Sequence, residues 1–512
     1  MTRARFALAF IVTIILAACG GGDGPTESHP GPNGITFLRG ANATDTVDAR
    51  LLQALRIEVR DADGHIAPHT IVRLQAAFSP PDDPMQYGDA EVLVSRLTDS
   101  EYYPVLIDST DERGIVDVLV RLGGKAGTAH LVVSAPVLGA QNTATYTVLP
   151  GAAASVRSFP ADTSVKIGSA LTLRGGVYDR NGNVRGESFT YAMTGTSGAA
   201  TLNGMVVTGV AFGRVQLVAS AGALRDTSWV NVVPPGTVAA FSSPDNTGQA
   251  AAIYTFDLDG SGFREVRSSI VGTGYFGDMP VGWLSPTKLV YHDNNWNHTK
   301  QLYVVDLTTN IASRFLPLSD QMSMENFPRL NRDRSWVYFS GGTFESYQLY
   351  RARADGTGKE RLSPEGITVK EWAAAPSPDG TQVAFVRNGD YYAGALQVLD
   401  LATRQVRSLN RAGRFPKWSP DGSQIAYIAE TDAWAFSAGP LSVTTPDGST
   451  ARALTNGTVQ FNGDIDWSSD GKYIVGVATT GTLAVVEVAT GEVLVLTLPN
   501  IGRHLSSPVW KP

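Results

Sequence analysis

The sequence predicts an all-β chain in which short sandwich modules precede a ring of repeated four-stranded sheets. Two observations carry this. First, no long amphipathic helical pattern runs through the 512 residues, while 53 glycines and 28 prolines break the chain into short strands. Second, one strand–turn–strand unit recurs. In residues 414–430 (RFPKWSPDGSQIAYIAE), Phe415, Trp418, Ile425 and Tyr427 supply aromatic and β-branched strand positions, and Pro420-Asp421-Gly422 supplies the turn. An isolated hairpin is marginal in water, so the repetition is the signal.

The N-terminus has the composition of a processing segment. Arg3 and Arg5 precede an apolar run over 6–16, which is too short to span a bilayer as a helix. Leu16-Ala17-Ala18-Cys19-Gly20 comes next. This stretch closely resembles the lipobox of bacterial lipoproteins. The resemblance implies a signal peptide at 1–18, cleavage before Cys19, and a diacylglycerol on the Cys19 sulfur. Two or more acyl chains anchor stably where one is marginal.

Cys19 is the single cysteine, so the folded body has no disulfide, thiolate metal cluster or cysteine nucleophile. Removing Arg3 and Arg5 takes the formal charge from −7 to −9, and a mildly acidic body offers no footprint for nucleic acid. Residues 19–34 (CGGGDGPTESHPGPNG) hold no strand pattern and read as a flexible tether. Gly20 lacks the aspartate that retains lipoproteins in the inner membrane of enteric bacteria, so the outer membrane is favoured, on either face.

Residues 35–150 and 151–235 read as two copies of one module. Val59-Arg60-Asp61-Ala62-Asp63-Gly64 parallels Val177-Tyr178-Asp179-Arg180-Asn181-Gly182, and both segments close on a Val-rich strand and Pro-Gly. Alternating runs such as Leu55-Arg56-Ile57-Glu58-Val59 are half-buried strands, and their number suggests sandwiches. The pattern resembles bacterial Ig-like domains of the invasin/intimin type. The first copy departs from it by an insertion around 79–104. Such modules serve as adhesins or as spacers, and the spacer role is favoured here.

From residue 236 the hairpin repeats. Taking Trp418 as reference, the anchors are 283, 330, 376, 418, 467 and 510, at intervals of 42 to 49 residues. A period in the forties with four strands per unit marks a propeller blade. The array resembles the TolB-like or PD40 propeller repeat, P-x-W-S-P-D-G followed by I-A-F and I-Y-V-x-D. The resemblance is specific in units four to six. It is degraded in units two and three, where the turn reads LSPT and NRDR. The first unit lacks its P-x-W strand, and Ser507-Pro508-Val509-Trp510 is a first strand with nothing after it. Together they predict a six-bladed propeller closed by the C-terminal strand.

Catalytic signatures are sparse. Ala435-Phe436-Ser437-Ala438-Gly439 lacks the first glycine of a nucleophile elbow, and three histidines in the repeat region are too few to argue a metal site. Gly272–277 matches G-x-G-x-x-G but is followed by Asp278-Met279-Pro280, where a helix should begin. Asp257-Leu258-Asp259-Gly260-Ser261-Gly262 resembles an EF-hand start, yet Ser268 stands where Ca²⁺ requires a bidentate glutamate. No cofactor is expected.

The loops between second and third strands are more informative. They carry Asn295, Trp296 and His298, then Phe344 and Tyr347, then Tyr391 and Tyr392, then Trp434 and Phe436. Aromatic rings among polar groups suit a protein hot spot or a sugar ring. These residues are the candidate partner-binding set, with packing against neighbouring blades as the competing role. The tryptophans at 283, 418, 467 and 510 sit inside strands and read as core. The leading expectation is a non-catalytic, lipid-anchored envelope protein that docks a protein or glycan. A propeller-type carbohydrate-active enzyme and a purely structural envelope scaffold are the alternatives.

Overall fold

The computed structural model describes residues 34–80, 88–195, 198–242, 250–270, 279–293, 301–315, 325–342, 347–355, 357–367, 369–387, 394–430, 438–498 and 505–511. Nearly all of the regular structure is β, and among the described residues the one helical element is the 3-10 turn Pro136–Leu138. The chain divides into two compact units, Met1–Ala153 with Tyr178–Arg185, and Ala154–Val177 with Gly186–Pro512.

The first unit is a two-sheet β-sandwich. One sheet orders Ile35–Arg39, Leu55–Val59, Ile115–Leu122 and Val92–Arg96. The other orders Thr44–Thr46, Ala140–Leu149, Gly127–Ala135, Ile71–Ala76 and Val105–Ser109. Alternation places Leu55, Ile57 and Val59 against Val116, Val118 and Val120 in one buried cluster with Leu131, Val133 and Tyr146.

The Asp-x-x-Gly pattern read from the sequence is a local hydrogen-bonded device. Asp61 Oδ1 accepts from the backbone N–H groups of Asp63 and His65, and Asp111 Oδ1 does the same for Arg113 and Ile115. Asp179 repeats it with Asn181 and Asn183. The glycine three residues on takes φ of +82°, +71° and +86° in turn, the region where an L side chain is penalised.

In the second unit, residues 154–177 and 186–233 contribute Asp162–Lys166, Leu224–Val233, Gly213–Ala221 and Thr190–Thr194, paired in that order, over a core of Val165, Val215, Leu217, Val230 and Val232. This region shares apolar contacts with the sheets C-terminal to it. Phe212 packs on Tyr473 at 5.3 Å between ring centroids, and Val233 lies in one cluster with Val475 and Val485.

The rest of the unit is a β-propeller. Among the described residues, the strands from Thr237 on form four four-stranded antiparallel sheets and one seven-stranded sheet, which Val406–Trp418 divides into two. Their innermost strands are, in ring order, Leu505–Trp510, Met279–Ser285, Glu325–Leu330, Glu371–Pro376, the second half of Val406–Trp418, and Phe461–Trp467. Each touches the next, and the last touches the first. Val406–Trp418 is long because it serves twice, pairing with Gly394–Asp400 as the fourth sheet's outer strand and with Ile425–Ala429 as the fifth sheet's inner one. The first sheet is completed from the far end of the chain: Val238 pairs with Trp510 and Ala239 with Val509, and the Lys511 N–H donates to the Thr237 carbonyl at 2.8 Å.

A shared irregularity shapes the inner strands. Phe327, Ala373, Phe415 and Ser507 each stand three residues before an anchor and take φ between +48° and +55°. The ladder skips at each of these points. Pro328, Pro416 and Pro508 come directly after three of them, so the Pro of P-x-W sits at a bulge, where its missing N–H costs no ladder bond.

Candidate functional site

The turn between first and second strands builds one end of the ring. In the fifth sheet the Ser419 hydroxyl donates to Asp421 Oδ1 at 2.6 Å and accepts the Gln424 N–H at 3.0 Å, while Gly422 takes φ of +75°. Ser377-Asp379 and Ser468-Asp470 repeat the arrangement in the fourth and sixth sheets. These serine hydroxyls and the N–H groups beyond them hold the Asp379 and Asp421 carboxyls below the ordinary range.

Tryptophans then join sheet to sheet. The Trp467 indole N–H donates to the Lys417 carbonyl at 3.1 Å, that of Trp418 to Ala375 at 3.1 Å, and that of Trp283 to Val509 at 3.4 Å. In each pair the acceptor is the residue just before the neighbouring sheet's anchor. Trp283, Trp467 and Trp510 are buried and Trp418 is half-buried, which fits their reading as core.

Inside this belt lies an open cavity of about 420 Å³, lined from all six sheets by residues that include Trp510, Trp283, Arg329, Pro376, Trp418 and Trp467. Its volume falls in the range of small-ligand sites. Charge is concentrated on its wall. Arg329 pairs with Asp464, which lies three sheets away across the ring axis, and both are buried. Lys417 Nζ lies 3.1 Å from Asp466 Oδ1, and Asp466 Oδ2 accepts the Trp510 N–H at 2.8 Å. Arg332 donates to the Pro420 carbonyl at 3.1 Å and Arg334 to that of Leu284 at 3.0 Å. Among the described residues lining the cavity, Arg329, Arg332, Arg334 and Lys417 are cationic and Asp466 is acidic, with Arg329 already paired to Asp464 behind the wall. Deeper along the axis, Phe327 meets Trp372 and Phe415 edge-on at 5.6 and 5.7 Å.

Of the residues singled out from sequence, Cys19, Asn295, Trp296, His298, Phe344, Tyr391, Tyr392, Trp434 and Phe436 lie outside the described residues. Tyr347 is described. Only 9% of it is exposed, and its carbonyl accepts from the Glu371 N–H and the Gln348 side chain. Tyr347 thus packs at the start of its strand. The second strands end, and the third begin, at the end of the ring opposite the Ser-Pro-Asp-Gly turns, since neighbouring strands are antiparallel. The strand ends that flank the aromatic loops in sequence and the cavity accordingly belong to opposite ends.

The EF-hand-like stretch is a turn with its own cation. Lys166 Nζ lies 2.9 Å from Asp257 Oδ2, 3.6 Å from Asp259 Oδ2 and 3.1 Å from the Ser261 hydroxyl. The bond to Asp257 holds the lysine above its ordinary pKa. Burial alone would raise the Asp257 carboxyl, but bonds from Thr237 and Lys166 outweigh it and keep the group low.

No family model matches the chain. An uncharacterized protein of Agrobacterium fabrum (strain C58) is 24% identical over 155 residues, covering 30% of this chain. The chain spans about half the length of that curated relative, 49%. Among solved structures, TolB from Acinetobacter baumannii is similar over 63% of this chain and 82% of its own, with 17% identity and a TM-score of 0.44. A putative TolB from Agrobacterium tumefaciens is similar over 55% of this chain and all of its own, with 14% identity and a TM-score of 0.38.

Proposed function

We propose that this chain is a non-catalytic docking protein of the bacterial envelope, anchored through lipid on Cys19. In this reading residues 35–150 and 151–235 are Ig-like spacers. They carry a six-bladed propeller whose second-to-third-strand loops engage a protein or glycan. The observation that supports it is the equivalence of the sheets. Because each repeats the same strand order, the chain enters and leaves the loops holding Trp296, Phe344, Tyr391, Tyr392, Trp434 and Phe436 at one end of the ring. Aromatic side chains gathered on one face by a rigid scaffold make the flat, amphipathic area that partners use as anchors.

The test is capture from envelope extract and binding to a glycan array by the chain lacking residues 1–19. Trp296→Ala combined with Trp434→Ala should cut retention at least ten-fold. Undiminished retention would remove the loop face from consideration. The lipid is tested separately, since Cys19→Ser should release the protein from membranes into the soluble fraction.

A further inference from the structure

The third repeat departs from the fourth, fifth and sixth at one turn, and the departure adds two cations. Where the fourth repeat has Ser377-Pro378-Asp379-Gly380, the third has Asn331-Arg332-Asp333-Arg334. The turn itself is kept. The Asn331 side chain accepts the Trp336 N–H at 2.9 Å, as the Ser377 hydroxyl accepts that of Gln382, and Asp333 accepts from Ser335. What changes is that Arg332 replaces the proline and Arg334 replaces the glycine.

Arg334 keeps the glycine's backbone, with φ of +63° against +72° for Gly380, +75° for Gly422 and +72° for Gly471. A long L side chain in the left-handed region is strained, and glycine would relieve that strain. Strain of this kind collects where a side chain is needed. Both arginines line the axial cavity beside Arg329 and Lys417.

From this we propose that the cavity at the Ser-Pro-Asp-Gly end of the ring binds a small ligand through an oxyanion, carboxylate or phosphate, held by Arg332, Arg334 and Lys417. The carbonyl bonds of Arg332 and Arg334 each use one donor out of the five a guanidinium carries, which leaves its fork geometry for an oxyanion. Lys417 is positioned by Asp466, and Arg329, paired with the buried Asp464, lies on the same wall. Pro376, Trp418 and Trp467 give the ligand's body an apolar wall. A neighbouring depression of about 380 Å³ shares Arg332 but is lined by Asp421 and Asp470, so the anion is directed to the axial side. This site lies at the opposite end of the ring from the strand ends that lead into the aromatic loops and does not rest on their role.

The experiment is calorimetric titration of the chain lacking residues 1–19, at low salt. The probes are D-glucuronate, citrate, glucose 6-phosphate and inorganic phosphate, with D-glucose as the neutral match. Binding of at least one anionic probe, with none of glucose, is expected, and it should weaken as salt is raised. Arg334→Gly restores the repeat's own residue, so it should leave the melting temperature unchanged or higher while lowering affinity about ten-fold or more. Arg332→Met should act alike, and Lys417→Met with Asp466→Asn tests the third cation without stranding the half-buried Asp466 carboxylate. The carboxylate and phosphate probes distinguish the two oxyanions. Failure of every anionic probe to bind up to millimolar concentration, or affinity unchanged in Arg334→Gly and Arg332→Met, would overturn the site. Trp296→Ala with Trp434→Ala should leave anion binding intact.

Discussion

Trp510→Ala should open the propeller. Trp510 is 6% exposed and lies in one cluster with Val238, Phe256 and Leu505. A Cβ built on Gly236 would come within 2.5 Å of its indole nitrogen, so the ring fills a space shaped to it. Truncating a buried tryptophan costs roughly 3–5 kcal/mol through lost transfer energy and the cavity left behind. Set against a total stability of about 5–15 kcal/mol, this is a large fraction. The assay is urea unfolding followed by intrinsic fluorescence. With a slope of about 3 kcal/mol per molar, the propeller transition should move down by about 1–1.7 M. Trp229→Ala is the control. That ring is half-buried and stacks under the Arg214 guanidinium at 4.4 Å, so its loss should cost only about 1 kcal/mol. An unchanged propeller midpoint in Trp510→Ala would refute the view that the C-terminal strand closes the ring.

Lys166→Met removes the cation between Asp257 and Asp259 and should cost roughly 1 kcal/mol at neutral pH, both partners being about one-quarter exposed. Asp257 is held low, so its contribution is complete above the unfolded value of about 3.9 and is lost as pH falls through the lower folded value. Lys166 is held high, so its share is complete below about 10.4 and is lost as pH rises through the folded value. The stability difference between wild type and variant should therefore be flat from about pH 5 to 9 and shrink outside it. The Thr445 hydroxyl and Ser449 hold the Asp447 carboxyl down at about 2, so Thr445→Ala should raise its NMR titration midpoint toward 3.8. Gly439→Ala would drive a Cβ to 1.9 Å from the Ala429 carbonyl oxygen, and it should destabilise the fifth sheet by at least about 1–3 kcal/mol in the same urea assay.

Much of the fold is legible in local sequence because its devices are local. The Ser-Pro-Asp-Gly turn, the Asp-x-x-Gly turn and the Pro of P-x-W act within a few residues, so each leaves a motif. The axial cavity does not. Arg329 and Asp464 are 135 residues apart, a spacing that marks nothing, and Lys417 and Asp466 are 49 apart, one repeat interval that every equivalent pair of these two units shares. A trace was nonetheless present, because the third repeat's NRDR reads as mere decay of the turn until its arginines are seen to share a cavity. Burial at a strand end is equally hard to read: Tyr347, beside a loop in sequence, is only 9% exposed where its strand begins.

The pairing of Thr237–Ser242 with Leu505–Trp510 also bears on the order of events during synthesis. A ribosome delivers the first sheet's other three strands well before the strand that completes it. Until then Thr237–Ser242 presents a bare edge rich in Val, Ala and Phe, the kind of edge that recruits stray strands. Loop closure over such a span is slow, and the sheets made in between must hold their places without a fixed starting point. The last strand therefore acts as a latch, and a chain stalled just short of Leu505 would have every repeat unit but no way to finish the circle.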